Sequence, residues 1–549
     1  MYQAFPPAAD AAQTSIESLS PAVPGVTNPR PIRAARRRAL LGLVALAPLL
    51  AACVVGPDYA PPPMAMPTNF AAATKAQAQK PAQLHAWWRR LNDPTLDKLV
   101  DEAVAHNLDV ATAKAAVRQA RATRAQQASS LFPSANGSAS ITRSQNAATG
   151  TSASSSGTST ITVDTDGAGS SGTSRTTQWQ GGFDASWELD LFGGNRRAVE
   201  SATYAVEASE AQLRDALVTL IGDLTTYYVQ ARGYQARIDL ATRTAASQRE
   251  TAQLTRQKFD AGSSSAVDVA NAVGQAASTE ADIPSLQSSY AQAVHRISVL
   301  TGQMPGTLTS AMNRSKPIPS PRLPVPTGVP ADILAARPDV RAAERQLAQY
   351  TASVGNAQAQ LYPSVSLTGS LATSAVKAGD LGKGSTISWS FGPSLTLPIF
   401  NGGQLQAGVE LAEAQRDQYY VALRSTVLTA MEDVENSLVA LSKERQRARS
   451  LQESAKAYGD AARLSRALYQ TGGSSFLDVL DAERSLYSAQ DSLLQSRVLI
   501  TTDYIALHKA LGGGWDGRVD TKTPEVVDVN TGPHLPDANT VSAMWPFGN

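Results

Sequence analysis

From Trp179 to Leu191 apolar and polar positions alternate without a break. Trp179, Gly181, Phe183, Ala185, Trp187, Leu189 and Leu191 stand against Gln180, Gly182, Asp184, Ser186, Glu188 and Asp190. Period two is the mark of a β-strand whose two faces meet different surroundings. The alternation returns at Ile387, Trp389, Phe391, Pro393, Leu395, Leu397 and Ile399. Weaker runs precede each, from Ala135 to Ile141 and from Val365 to Leu371. The pattern predicts two β-hairpins, at 134–191 and 363–399. A different period fills the chain after the first hairpin. Leu213, Leu217, Leu220, Leu224, Tyr227, Ala231, Tyr234 and Ile238 are spaced by fours and threes, the 3.5-residue period of a coiled-coil seam. Leu423, Val427, Ala430, Val434, Ser437 and Leu441 hold the same phase 210 residues on. The stretches from Gly194 to Gly262 and from Gly403 to Gly472 each have room for a helix of roughly 100 Å. Shorter helices are predicted at about 94–131 and 264–300, to be stacked beside the first long one.

The shared phase reflects a duplication. Residues 259–272, FDAGSSSAVDVANA, return as 469–482, YQTGGSSFLDVLDA, aligning Gly262 with Gly472, Asp268 with Asp478 and Val269 with Val479. Upstream, Asp109-Val110 followed by Leu131-Phe132-Pro133-Ser134 matches Asp339-Val340 followed by Leu361-Tyr362-Pro363-Ser364, 230 residues on. Two echoes in one order mean one long unit written twice, which argues for pseudo-symmetry and against a solenoid of short repeats. The first copy is placed at 94–314 and the second at 331–515. A proline-rich link, 315–330, joins them, and 516–549 reads as an irregular tail.

Composition narrows the class. Forty-eight basic and 47 acidic residues leave a net charge of +1, without the basic excess a nucleic-acid partner would need. A single cysteine, Cys53, excludes an internal disulfide or a thiolate zinc cluster. Arg30, Arg33, Arg36, Arg37 and Arg38 precede an apolar run from Ala39 to Leu50, then Ala51-Ala52-Cys53. The run has the length of a signal-peptide core and is too short to span a bilayer. Residues 1–52 therefore read as a signal peptide ending in a lipobox, with cleavage before Cys53 and a covalent lipid on its thiol. The alternative is a buried free cysteine after a core helix. Residues 53–93 follow as an extended, lipidated segment.

That setting bears on the strands. A half-buried sheet on a soluble core gives the same alternation. Here the polar face is small and hydroxylic and the apolar face carries tryptophans, which together with an export signal favours strands facing lipid outward and water inward. Four strands are too few to close a barrel, and an open edge in lipid leaves backbone groups unpaired. The chain must then oligomerise.

Residues 144–178, rich in Ser, Thr, Gly and Ala, read as a surface loop without a packed core. The stretch GDLGKGS, 379–385, glances at a phosphate-binding loop but lacks its first glycine and a feeding strand. The five histidines, at 85, 106, 295, 508 and 534, show no metal-ligand spacing and read as solvated or interfacial. Neither a nucleophile elbow nor a dinucleotide fingerprint is present. The chain is read as no enzyme, with no catalytic residue, no metal and no cofactor beyond the lipid on Cys53.

Several short stretches, in order and spacing, carry a family likeness. They are VVGPDYAPP after Cys53, Trp87-Trp88 with Asp93-Pro94 and Leu96, the turns LDLFGGNRR and LPIFNGG, Arg337-Pro338-Asp339-Val340 with Glu344, and LGGGW at 511–515. Over residues 53–515 the chain resembles the TolC/OprM-type outer membrane factors of tripartite efflux systems, and among them the NodT-like lipoprotein branch. The resemblance implies a mixed α+β membrane protein: a homotrimer with a twelve-stranded barrel, four strands per chain, continued by a long α-helical periplasmic tunnel. It implies a lipid-anchored duct in the bacterial outer membrane that passively conducts small molecules. Its implied partners are a periplasmic adaptor (the membrane fusion protein) and, through it, an inner-membrane transporter of the RND class. A duct for type I protein secretion shares the fold and is the alternative; a coiled-coil scaffold would explain the helices but not the hairpins.

The resemblance also places the duplicated turn at the periplasmic tip. By motif position Asp478 and Asp481 look like the carboxylates of the constriction, with Leu477 as an apolar restriction beside them. Tyr469 and Asp268 look like members of the network that holds the inner helix pair. Some relatives use an arginine where this chain has Ser474, and Arg484 is a candidate substitute. Gly262 and Gly472 mark the tip turns, as helix C-caps and as adaptor contacts. Read from the residues alone, Asp478 and Asp481 also fit as helix-capping carboxylates.

Overall fold

The computed structural model describes residues 54–63, 84–146, 174–321, 334 and 336–524. The signal segment with Cys53, most of the link at 315–330, the core of the Ser/Thr-rich loop and the tail beyond residue 524 lie outside the described residues.

Four strands form one antiparallel sheet in the order β1 (Ser134–Asn146), β2 (Ser174–Leu189), β3 (Ser364–Ala375), β4 (Ile387–Thr396). The register explains why both hairpins alternate in one phase. Gly137, Phe183, Leu371 and Trp389 form one row across the sheet, while Ser138, Gly182, Ala372 and Ser388 form the next, on the opposite face. One face is thus mainly apolar and the other polar over all four strands, with hydroxyls joined by Asn136, Gln180, Asp184 and Glu188. Among the described residues no element covers the apolar face, where Trp389 is 76% exposed. β2 starts at Ser174, five residues before the expected alternation, because Arg175, Thr176 and Thr177 pair with Gln145, Ser144 and Arg143 of β1; a strand polar on both faces leaves no period to read. Both strands that run into the helices stop short of the predicted ends, at Leu189 and, ahead of Pro398, at Thr396.

The predicted helix at 94–131 is two helices, α1 (Pro94–His106) and α2 (Leu108–Ser129). Asn107 breaks them: its side chain accepts from the N–H of Asp109 and of Val110 and donates to the Leu300 carbonyl. Capping a new helix here overrides the apolar periodicity that runs through it. α3 (Gly194–Asp260) and α6 (Gln404–Thr471) are the long helices, of 67 and 68 residues. α4 (Ala266–Leu300) and α7 (Phe476–Ala510) return beside them, 35 residues each, and α5 (Pro338–Ala359) is the second copy's equivalent of α2. Among the described residues no helix is long and apolar enough to cross a membrane.

The main core lies at mid-height. Leu213, Leu217, Leu220 and Leu224 of α3 and Leu423, Val427, Ala430 and Val434 of α6 are buried, so the shared seam is a shared core. Each leucine contributes about 1.5–3 kcal/mol by burial. Trp87 and Trp88, each 1% exposed, belong to this core, and the LGGGW stretch packs against them at Gly514. A Cβ at Gly512 or Gly513 would stand only 3.0–3.2 Å from Arg337 or Leu84, so glycine lets the stretch pack closely there. Of the tail expected to be irregular, the described residues 516–524 are pinned to the core: Arg518 lies over the Trp88 ring and pairs with Asp101, and Arg214 donates to Thr521.

His508 corrects the reading of the histidines as solvated or interfacial, since it is buried inside the chain's own core. It is 1% exposed, stacked on Trp87 at 5.2 Å and edge-on to Tyr504 at 4.5 Å, and neither ring nitrogen has a protein partner. Burial, then the charge of Arg90, pushes its pKa down to about 3. Below about 6.5 the unfolded chain takes up a proton that the fold refuses, so stability is lost progressively as pH falls from there toward the folded value. The loss reaches about 2 kcal/mol at pH 5. The thermal midpoint of the parent should therefore fall between pH 7 and pH 5 and that of His508→Phe should fall less; equal slopes would remove His508 from the account.

Candidate functional site at the helical tip

Two turns end the long helices, and both are built alike. α3 stops at Gly262 (φ 74°), where the Gly262 and Ser263 N–H groups bond back to Phe259 and Lys258. α6 stops at Gly472 (φ 82°), with Gly472 and Gly473 bonding to Tyr469 and Leu468. The left-handed backbone at these two positions is why the duplicated motif keeps glycine there. Its other letters start the next helix. Ser265 caps α4, with Asp268 returning a bond to the Ser265 N–H; Ser475 caps α7, with Asp478 doing the same. The shared G-x-S-S-x-x-D-V spacing is thus a helix stop followed by a capping box.

This gives the two carboxylates a structural duty. Asp478 accepts from the Ser475 N–H, the Ser475 hydroxyl and the Ser474 hydroxyl, and these bonds hold its pKa below the ordinary carboxylate value. Asp268 does likewise with Ser264 and Ser265. Its bonds are local, and none reaches Tyr469. Ser474 belongs to the same capping network, donating its hydroxyl to Asp478.

α7 presents two unlike faces at the tip. Phe476, Val479, Leu480 and Glu483 are buried, while Leu477 (56% exposed), Asp478, Asp481 and Arg484 are exposed. Asp478 and Asp481 are one turn apart and share the open face. Arg484 does not meet either carboxylate within the chain; its Nε donates to Gln275 of α4 at 2.5 Å.

The buried face ties the second repeat to the first. Tyr469 packs on Phe476 and its hydroxyl donates to Thr255 of α3 at 3.2 Å, with Lys258 over its ring. One turn away, Arg466 of α6 donates to Glu483 of α7, which also accepts from Thr251 of α3. Further up, Arg237 makes a two-point pair with Asp491, and Tyr487 donates to Asp282. Tyr469 stood out in the sequence; Arg466, Glu483, Thr251 and Thr255 did not. The signal for Glu483 was there, since a carboxylate falls in phase with the buried residues Phe476, Val479 and Leu480.

At the other end, the residues just after Cys53 are tied to the turn between β2 and α3. Val55 N–H donates to Phe192, and Arg197 donates to the carbonyls of Val55 and Gly56 and pairs with Asp58.

The chain matches the outer membrane efflux protein family over residues 99–303 and 329–513. It belongs to that family. Nodulation protein T of Rhizobium leguminosarum bv. trifolii is 37% identical over 472 residues, covering 85% of this chain and 96% of that protein. The probable efflux pump outer membrane protein TtgC of Pseudomonas putida is 30% identical over 484 residues, covering 87% and 96%. The solved outer-membrane channel OprN superposes with a TM-score of 0.74 at 36% identity, covering 84% of this chain and all of that one. The protein is an outer-membrane exit duct of an efflux system, extending into the periplasm. As a member of the family it assembles as a trimer, so three four-stranded sheets close one barrel over a helical tunnel. That closure accounts for the unpaired edges of β1 and β4 and for the apolar face that the single chain leaves bare.

Proposed function

We propose that the duct serves a tripartite pump of the RND class, conducts small molecules passively, and is held shut at its periplasmic tip by rings of carboxylate from Asp478 and Asp481. A periplasmic adaptor docks at the turns around Gly262 and Gly472 and links the duct to an inner-membrane transporter, which supplies the energy. The open face of α7 carries this reading: two carboxylates and an exposed leucine, one turn apart, on a helix whose opposite face is locked to the first repeat. Repeated by three chains around one axis, such carboxylates repel unless bridged by cation, arginine or water, which makes the closure selective and easily released. The capping duty of Asp478 is compatible with this, because its bonds run to the local turn and leave its charge in place. Trivalent-cation block of single channels tests the rings.

The anchor belongs to the same reading. The tie of Val55 and Asp58 to the base of the sheet supports a lipid on Cys53 entering the membrane beside the barrel. Cys53→Ser should lose incorporation of labelled palmitate and remain unprocessed, while the barrel still inserts. Palmitate retained by the variant would refute the lipobox.

A further inference from the structure

A cavity of about 510 Å³ lies between α3 and α7, bounded at its tip end by Arg466 of α6. Gln248 lines it, 2% exposed, and neither its amide oxygen nor its amide nitrogen has a partner; the Nε of Arg466 is likewise buried without one. Groups buried unpaired destabilise the fold unless a partner satisfies them, so the site is built to be completed from outside the chain. Glu483 is already taken by Arg466 and Thr251. A neutral group that both donates and accepts, such as a hydroxyl, fits that end better than a second carboxylate. Toward the barrel Leu240, Leu493 and Leu494 give the lining an apolar strip, beside which Gln490 and the exposed, mutually paired Asp239 and Arg243 stand. At the far mouth stands Arg497, exposed and without an ion pair among the described residues. From Gln248 back to Ala236, the lining residue of α3 nearest the barrel, is about 18 Å along the helix. The volume lies in the range of small-molecule sites and is far beyond that of a single water.

We infer that this cavity binds an elongated amphipathic acid carrying a hydroxyl at its far end. The hydroxyl meets Gln248, the hydrocarbon lies on the leucines, and the carboxylate meets Arg497. Because its walls come from both repeats, an occupant ties α3 to α7.

The trimer in nanodiscs is photolabelled with a diazirine analogue of dodecanoate, and labelled peptides are mapped by mass spectrometry. Label is expected on 236–248 and 483–497. 12-Hydroxydodecanoate should compete at about ten-fold lower concentration than dodecanoate, and Gln248→Leu should erase that difference. It should compete about three-fold better than 1,12-dodecanediol, a smaller preference because Arg497 is exposed; Arg497→Gln should erase it and Arg497→Lys restore it. Gln248→Met serves if the leucine variant does not assemble as a trimer. Label absent from these peptides, a site covered by the neighbouring subunit, or equal competition by all three compounds would overturn the proposal and leave Gln248 to water alone.

Discussion

Arg337→Met is expected to destabilise the trimer by about 3–5 kcal/mol, because it removes the guanidinium on which a largely buried network converges. Arg337 is 8% exposed; it pairs with Asp339 at 2.6 Å and Asp433 at 3.5 Å and donates to the carbonyls of Ala510 at 2.5 Å and Ala430 at 3.5 Å. One guanidinium thus holds the start of α5, the middle of α6 and the end of α7. Arg337→Lys should be intermediate, since an ammonium cannot span two carboxylates and two carbonyls in one plane. The check is the thermal midpoint together with the trimer fraction by mass. A methionine variant as stable as the parent would mean that packing of Leu423, Val427 and Val434 alone sets the stability of mid-height.

Cutting the ties between the repeats at the tip should give the other large effect, on conductance. In Tyr469→Phe/Glu483→Gln the hydroxyl bond to Thr255 is gone and the Arg466–Glu483 charge pair is reduced to a neutral contact. Each buried bond lost is worth about 1–3 kcal/mol. The α6/α7 pair is then free to swing from α3, and a shift of that size moves a mostly closed tip several-fold or more toward open. Single-channel conductance or open probability in planar bilayers should rise accordingly, with the trimer intact by mass. Unchanged currents would place the restraint on opening outside these contacts.

Much of this architecture could be read from period alone. The β-hairpins and long helices follow from alternation and heptads because one face of each element is uniformly apolar. The break at Asn107 was missed because a capping side chain outweighs periodicity over a single residue, and Ser174–Gln178 because a strand polar on both faces has no period. At the site, the motif Gly262/Gly472 with Asp268/Asp478 was visible as a repeat, but its cause is local turn chemistry, which sequence repetition cannot separate from function. Glu483 and Arg466 were missed because a charged residue among heptad positions was not weighed as a buried pair. His508 was misread because spacing reports on ligands and says nothing of stacking against Trp87.

The proposed gate rests on the charge carried by the open face of α7. Asp478→Asn and Asp481→Asn are the variants to combine, because asparagine keeps an oxygen for the Ser475 N–H while losing the charge, so α7 keeps its cap. The measurement is block of single-channel current by a trivalent cation in planar bilayers, parent beside double variant. Converging charges in a narrow, poorly screened pore act far more strongly than exposed ones. The account predicts that the double variant needs at least about ten-fold more cation for the same block. Identical block in both proteins, with the trimer and its conductance otherwise unchanged, would contradict it and leave Asp478 as a helix cap alone.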